Sequence, residues 1–118
     1  MLQKVNLAEK LASFDEIFSP RIVGYYNDTK IQVAKTQGEF VWHSHPETDD
    51  LFLVLKGSLR VELRDGAVDV GEGELLVVPR GVEHRPVADE EAHVLLLELE
   101  GTPNTGDSDA EAAPEVEI

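Results

Sequence analysis

The sequence predicts an all-β domain, an antiparallel sandwich or barrel preceded by one short N-terminal helix. Three observations carry that prediction. Short apolar segments recur at close spacing from residue 21 onward, Gly and Pro punctuate the gaps between them, and helical periodicity is confined to the first twenty residues. The 118 residues suit a single domain. With 42% hydrophobic and 29% charged residues the chain can build a core, which must form without disulfides because there is no cysteine.

Residues 1–20 are predicted to be a helical arm. Asn6 with Glu9 three residues on is a capping arrangement, and Leu7, Leu11 and Phe14 share a helical face before Ser19-Pro20 stops the run. A barrel is predicted over 21–100. It opens with a hairpin, 22–26 and 30–35, turned at Asn27-Asp28. Further strands are predicted at 39–45, 51–55, 59–64, 67–70, 75–78 and 93–100. Lys56-Gly57, Asp65-Gly66, Gly71-Glu72-Gly73 and Pro79-Arg80-Gly81 supply the turns between them.

The strand at 59–64 alternates, with Leu59, Val61 and Leu63 on one face and Arg60, Glu62 and Arg64 on the other, so it has a wet side. The segments 51–55 and 94–97 are apolar at every position and need cover on both faces. A second subunit in a homodimer would supply that cover, as would the N-terminal arm. From 101 to 118 the composition changes to acids, prolines and glycines with no basic residue and few large apolar side chains. A mobile acidic tail is expected there.

Net charge narrows the function. Ten basic residues against 24 acidic ones give a formal −14, which repels phosphate backbones and anionic lipid. No apolar run approaches the roughly 18 residues of a spanning helix, and charges in the first twenty residues spoil a signal peptide. A cytoplasmic protein with small-molecule partners, and neither nucleic acid nor membrane, is the expectation.

The histidines are the chemical signal. His43 and His45 stand one residue apart at the end of a predicted strand, so both rings project from one face. His84 follows the Pro79-Arg80-Gly81 turn, and Glu47, Asp49 and Asp50 cluster just after the pair. Three neutral imidazoles and a carboxylate suit a divalent first-row metal. Surface histidines beside carboxylates are common, so the pair alone does not establish a site.

The wider pattern resembles the cupin superfamily, specifically its small single-domain members. The first cupin motif is matched by Gly38, His43-Ser44-His45, four residues, Asp50, six residues and Gly57. The second is matched by Gly73, five residues, Pro79-Arg80-Gly81, two residues, His84 and, three residues later, Ala88. Fifteen residues separate the motifs. Three departures stand out. Four residues rather than five precede His43, Ala88 replaces the usual Asn, and Asp50 replaces the usual ligand Glu with a side chain one methylene shorter.

The resemblance implies a double-stranded β-helix, a jelly-roll-like barrel whose mouth holds a divalent transition metal (Fe, Mn, Ni, Zn or Cu) on His43, His45, Asp50 and His84. Asp49 and Glu47 are substitute carboxylates, although strand alternation turns Asp49 away if Asp50 points inward. Gly57, Gly73 and Gly81 read as positive-φ turns, and Pro79 as a strand exit. His93 belongs to neither motif and reads as a packing or solvent-facing residue. Trp42 faces opposite the histidine pair, and Arg80 and Arg85 read as surface arginines.

No phosphate loop, nucleophile elbow or cysteine nucleophile is present. Two functions remain. One is a small metalloenzyme of dioxygenase or isomerase-like type acting on a small organic substrate. The other is a non-catalytic small-molecule-binding protein with a structural metal or none. An isomerase needs a further acid or base that the sequence does not identify.

Overall fold

The computed structural model describes residues 2–118. The elements in order are α1 (Leu7–Ala12), β1 (Arg21–Tyr26), β2 (Thr29–Glu39), β3 (Asp50–Lys56), β4 (Ser58–Leu63), β5 (Gly66–Gly71), β6 (Leu75–Val78), β7 (His84–Leu99) and β8 (Val116–Glu117). Among the described residues no helix is long and apolar enough to cross a membrane.

The β7 strand organises the barrel. Along one edge it pairs antiparallel with β2 over nearly its whole length. On its other edge the first residues, 84–87, pair with β4, and residues 93–97 pair with β3. One long strand therefore belongs to two sheet halves, with β5–β4 flanking its start and β6–β3 flanking its end. The turn between β3 and β4 must cross tightly over β7 at Gly57. Its φ is +83°, and a Cβ there would lie 3.2 Å from Ala92 Cα. Only glycine meets both conditions without strain.

Alternation places the core. Phe52 and Val54 from β3, Leu59 and Val61 from β4, Val70, Val78, and Ala88, Ala92, Val94 and Leu96 from β7 form one buried cluster with Ala34. Each fully buried Leu, Val or Phe contributes about 1.5–3 kcal/mol of transfer free energy. The cluster needs no metal or disulfide to exist.

The double apolarity of 51–55 and 94–97 has a divided explanation. Outside the sheet, Val33 and Leu55 pack with Leu7, Leu11 and Phe14 beneath the N-terminal arm. Beyond the arm, Leu51, Leu53, Leu95 and Leu97 face outward in cross-strand register and are half-buried, beside Leu75 at 60% and Val77 at 44% exposure. The arm thus covers one end of this face only.

Three elements differ from expectation. Asn6 does cap α1, accepting the Glu9 amide at 3.0 Å, but the helix stops at Ala12, where the Ser13 hydroxyl turns back to the Lys10 carbonyl. The strand predicted over 39–45 is absent as such. β2 ends at Glu39, after Gly38 takes a φ of +81°, and His43 joins the barrel through a single bridge to His84. β7 begins nine residues before the predicted 93, because Pro86 and the Asp89-Glu90-Glu91 run disguise its first half.

The acidic segment expected to be mobile is laid against the barrel. Its β8 strand runs parallel to β1, Thr105 is buried, and Ile118 packs against the cluster of Leu11, Phe14 and Val33. Lys30, itself 2% exposed, donates to the Thr102 carbonyl at 2.5 Å and to Glu115 at 3.0 Å. These are specific anchors of a kind that composition does not register.

Candidate metal centre

The backbones of His43 and His84 exchange two hydrogen bonds, at 3.0 and 2.9 Å, which brings the two motifs side by side. The ring centroids of His43 and His84 are 4.4 Å apart, and those of His43 and His45 are 4.8 Å apart. Asp50, the first residue of β3, reaches in from the neighbouring strand. One ligand atom from each of His43, His45, Asp50 and His84 lies within 4.8 Å of the others, and all four residues are buried. The four residues singled out in the sequence therefore come together.

The histidine tautomers are prepared. Nδ1 of His43 lies 2.9 Å from the Val41 carbonyl, and Nδ1 of His84 lies 2.9 Å from the Val82 carbonyl. Since a carbonyl only accepts, each Nδ1 carries a proton, and Nε2 is the ring nitrogen left for the centre. Burial, more than the opposing Val41 hydrogen bond, lowers His43 to about 4, so its ring is neutral at physiological pH. Neutral imidazole is the form that coordinates a metal.

The acidic groups carry the remaining charge. Asp50 Oδ2 is 3.3 Å from His45 Nε2 and 3.5 Å from His84 Nε2. Burial opposes ionisation of Asp50, but these two histidines outweigh it and hold the carboxyl below its ordinary range. Burial also opposes protonation of His45, yet Asp50 and Glu98 prevail and raise it.

Glu98 was not singled out from the sequence. Its Oε2 is 3.3 Å from His45 Nε2, while its Oε1 accepts from Gln32 Nε2 at 3.1 Å. Burial, followed by the charge of Asp50, pushes Glu98 up to about 7. The signal was available. Val94 and Leu96 face the core, so strict alternation puts Glu98 there too.

The donor set fits a metal ion. His45 Nδ1, His84 Nε2, Asp50 Oδ1 and Glu98 Oε2 are buried without a hydrogen-bond partner, and unsatisfied buried polar atoms are costly. A divalent cation would satisfy the inward-facing ones and offset the buried carboxylate charge.

Beside the cluster a small cavity of about 40 Å³ is walled by Phe18, Phe40, Phe52, Val94, Leu96 and Pro86, with His43, Asp50 and Glu98 at its polar end. Phe18 stacks on Phe40 at 4.9 Å, and Phe40 meets His43 edge-on at 5.4 Å. Among the described residues no lysine or arginine lines it.

A cupin domain model matches residues 30–100, well over half of the chain. The chain belongs to the cupin superfamily. Over 81 residues this cupin is 38% identical to the uncharacterized protein YdbB of Bacillus subtilis, covering 68% of this chain and 66% of that protein, so it spans slightly under two thirds of that relative. A solved cupin-2 domain protein from Shewanella frigidimarina is 38% identical, with a TM-score of 0.80 over 81% of this chain and 94% of its own. Protein NMB1881 of Neisseria meningitidis is 30% identical, with a TM-score of 0.76 over 83% of this chain and all of its own. The double-stranded β-helix implied by the motifs is the fold observed.

The other sequence candidates lie away from the cluster. Asp49 is turned outward to the Arg80 amide at 3.0 Å, and Glu47 is exposed, so neither substitutes for Asp50. Arg85 pairs with Glu39 and Glu62, and with Arg64 it lies over the Trp42 ring. His93 pairs with Glu91 at 2.8 Å outside the barrel. Gly57, Gly73 and Gly81 all take positive φ.

Proposed function

We propose that this cupin binds one divalent first-row transition metal on His43, His45, Asp50 and His84 and acts as a small metalloenzyme on a small organic molecule held in the adjoining cavity. The observation that carries this reading is the convergence of one ligand atom from each of four buried residues within 4.8 Å, in a cluster where polar atoms of His84 and Asp50 have no hydrogen-bond partner. Three nitrogen donors and one oxygen donor suit Fe, Mn, Ni, Zn or Cu. When bound, the ion supplies a Lewis acid with coordination positions left for a substrate oxygen.

The chain's own residues do the rest. Val41 and Val82 hold the imidazoles in the coordinating tautomer. The phenylalanine walls exclude water and favour a flat, mostly apolar molecule. The absence of lysine and arginine from the lining disfavours phosphorylated substrates. Glu98, fixed by Gln32, offers a carboxylate that can hold or release a proton at the polar end, which is the group an isomerase-type reaction requires. The apolar walls also suit a binding module without turnover, and a product assay on metal-loaded protein distinguishes the two.

A second copy of this chain is the partner we assign to the uncovered sheet face. On a molecule with 24 acids, the outward side chains Leu51, Leu53, Leu75, Val77, Leu95 and Leu97 form an apolar patch with the Asp49–Arg80 pair at its edge. Two such patches facing each other keep the acidic surfaces apart and complete an isologous dimer.

Elemental analysis of purified protein tests the metal reading. About one transition-metal ion per chain is expected in the wild type, and none in folded His43→Ala or His84→Ala. Wild-type protein that stays metal-free after loading with each candidate ion would overturn it.

A further inference from the structure

The segment after Gly101 lies beyond the residues matched by the cupin domain model, yet it reaches the metal cluster. Ser44, between the two histidines of the first motif, has every polar group bonded to one residue of this segment. Its amide donates to Asp107 Oδ1 at 2.7 Å, its hydroxyl donates to Asp107 Oδ2 at 2.8 Å, and its carbonyl accepts from the Asp107 amide at 3.0 Å. Next to Asp107, Gly106 takes a φ of +53°, and a Cβ there would lie 2.2 Å from the Ser44 carbonyl oxygen and 3.0 Å from His43 Cδ2. Asn104 lines the cavity and donates to the Phe18 carbonyl at 3.3 Å.

The segment is anchored on both sides of this contact. Lys30 holds Thr102 and Glu115, Tyr25 donates to Glu117 at 2.6 Å, and the Ile118 amide donates to the Ile22 carbonyl at 3.0 Å. We propose that residues 101–118 are a strap that completes the metal centre, with Asp107 as the positioning residue that fixes the His43-Ser44-His45 turn. Residues 40–45 lie outside regular strand, apart from one bridge at His43. The barrel holds this turn at His43, through its backbone pairing with His84, and at His45, whose carbonyl accepts from the Gly81 amide at 3.0 Å, while Ser44 between them is held by Asp107 of the strap. The two Ser44 donors hold the Asp107 carboxyl below its ordinary range, which keeps the clamp charged.

The proposal rests on the metal reading above, and its test separates the two. Chelator-treated wild type, Asp107→Ala, Asp107→Asn and Gly106→Ala are titrated with Co²⁺, and amide exchange is followed residue by residue in the metal-free proteins. Asp107→Ala and Gly106→Ala are expected to weaken Co²⁺ binding about 10–100-fold. They should also change the cobalt absorption bands and accelerate exchange at Ser44, while the amides of Val54 and Val61 stay protected. Asp107→Asn, which can accept from the amide and donate to the hydroxyl, is expected to restore most of the affinity and the spectrum.

Wild-type affinity and spectrum in Asp107→Ala would overturn the proposal, as would loss of protection throughout the barrel. Wild-type protein that takes up no cobalt counts against the metal reading instead, and Ser44 exchange in Asp107→Ala then decides whether the strap holds the turn.

Discussion

Glu98 Oε2 lies 3.3 Å from His45 Nε2, the same nitrogen that meets Asp50 Oδ2 at 3.3 Å. One imidazole nitrogen is therefore flanked by two buried carboxylates. In the metal-free protein this raises His45, while Glu98 is driven toward its neutral form. A divalent ion at the cluster would replace that internal compensation with direct coordination.

Charge at Glu98 gives a signed pH dependence. Its folded value of about 7 stands above the ordinary 4.5. Between those values the folded protein holds a proton that the unfolded chain has released, so this contribution to stability is present at low pH and lost as pH rises through 7. Glu98→Gln removes the charge and keeps an acceptor for Gln32. Chelator-treated Glu98→Gln is expected to exceed chelator-treated wild type in stability at pH 8, on the order of a few kcal/mol. The gap should close toward pH 5. Urea unfolding at both pH values checks this, and a gap independent of pH would contradict it.

Asp50 is the carboxylate of the ligand set, and its neighbours cannot stand in for it because Asp49 is engaged with Arg80 and Glu47 is exposed. Asp50→Ala is expected to lower metal affinity by more than about 100-fold, beyond the usual cost of losing an outer contact. Calorimetric titration of the folded variant measures it. Unchanged affinity would remove Asp50 from the site.

The uncovered face predicts oligomer state. Leu97 lies on it between Leu51 of β3 and Ile31 of β2. Leu97→Glu is expected to convert a dimer to a monomer in sedimentation velocity while metal content per chain is unchanged. A wild type that sediments as a monomer at high concentration would contradict the dimer.

The crossing at Gly57 predicts a local cost. Gly57→Ala forces a positive φ on a residue with a Cβ and presses that Cβ against Ala92 at 3.2 Å. A loss of about 1–3 kcal/mol is expected in denaturant unfolding.

The legible and illegible parts of this molecule divide along physical lines. Gly57, Gly73 and Gly81 announce their turns because only backbone freedom explains them there, and His43, His45 and His84 are legible because they stand at the histidine positions of two motifs, where the pair alone would not have established a site. Glu98 was hidden by the apolar run around it, although the inward phase of Val94 and Leu96 points to it. The first half of β7 was masked by Pro86, whose carbonyl nonetheless accepts the Phe40 amide at 2.9 Å. Asp107 could not be found from sequence. Its importance comes from meeting Ser44, 63 residues away, and an acidic segment read by composition alone suggests solvation.

The most direct test of the central claim is anomalous diffraction from crystals of metal-loaded protein, collected at the absorption edge of the bound ion. A single peak is expected within about 2.0–2.2 Å of a nitrogen from each of His43, His45 and His84 and a carboxylate oxygen of Asp50. A peak at another location, or a loaded protein in which these four side chains contact only one another, would contradict it.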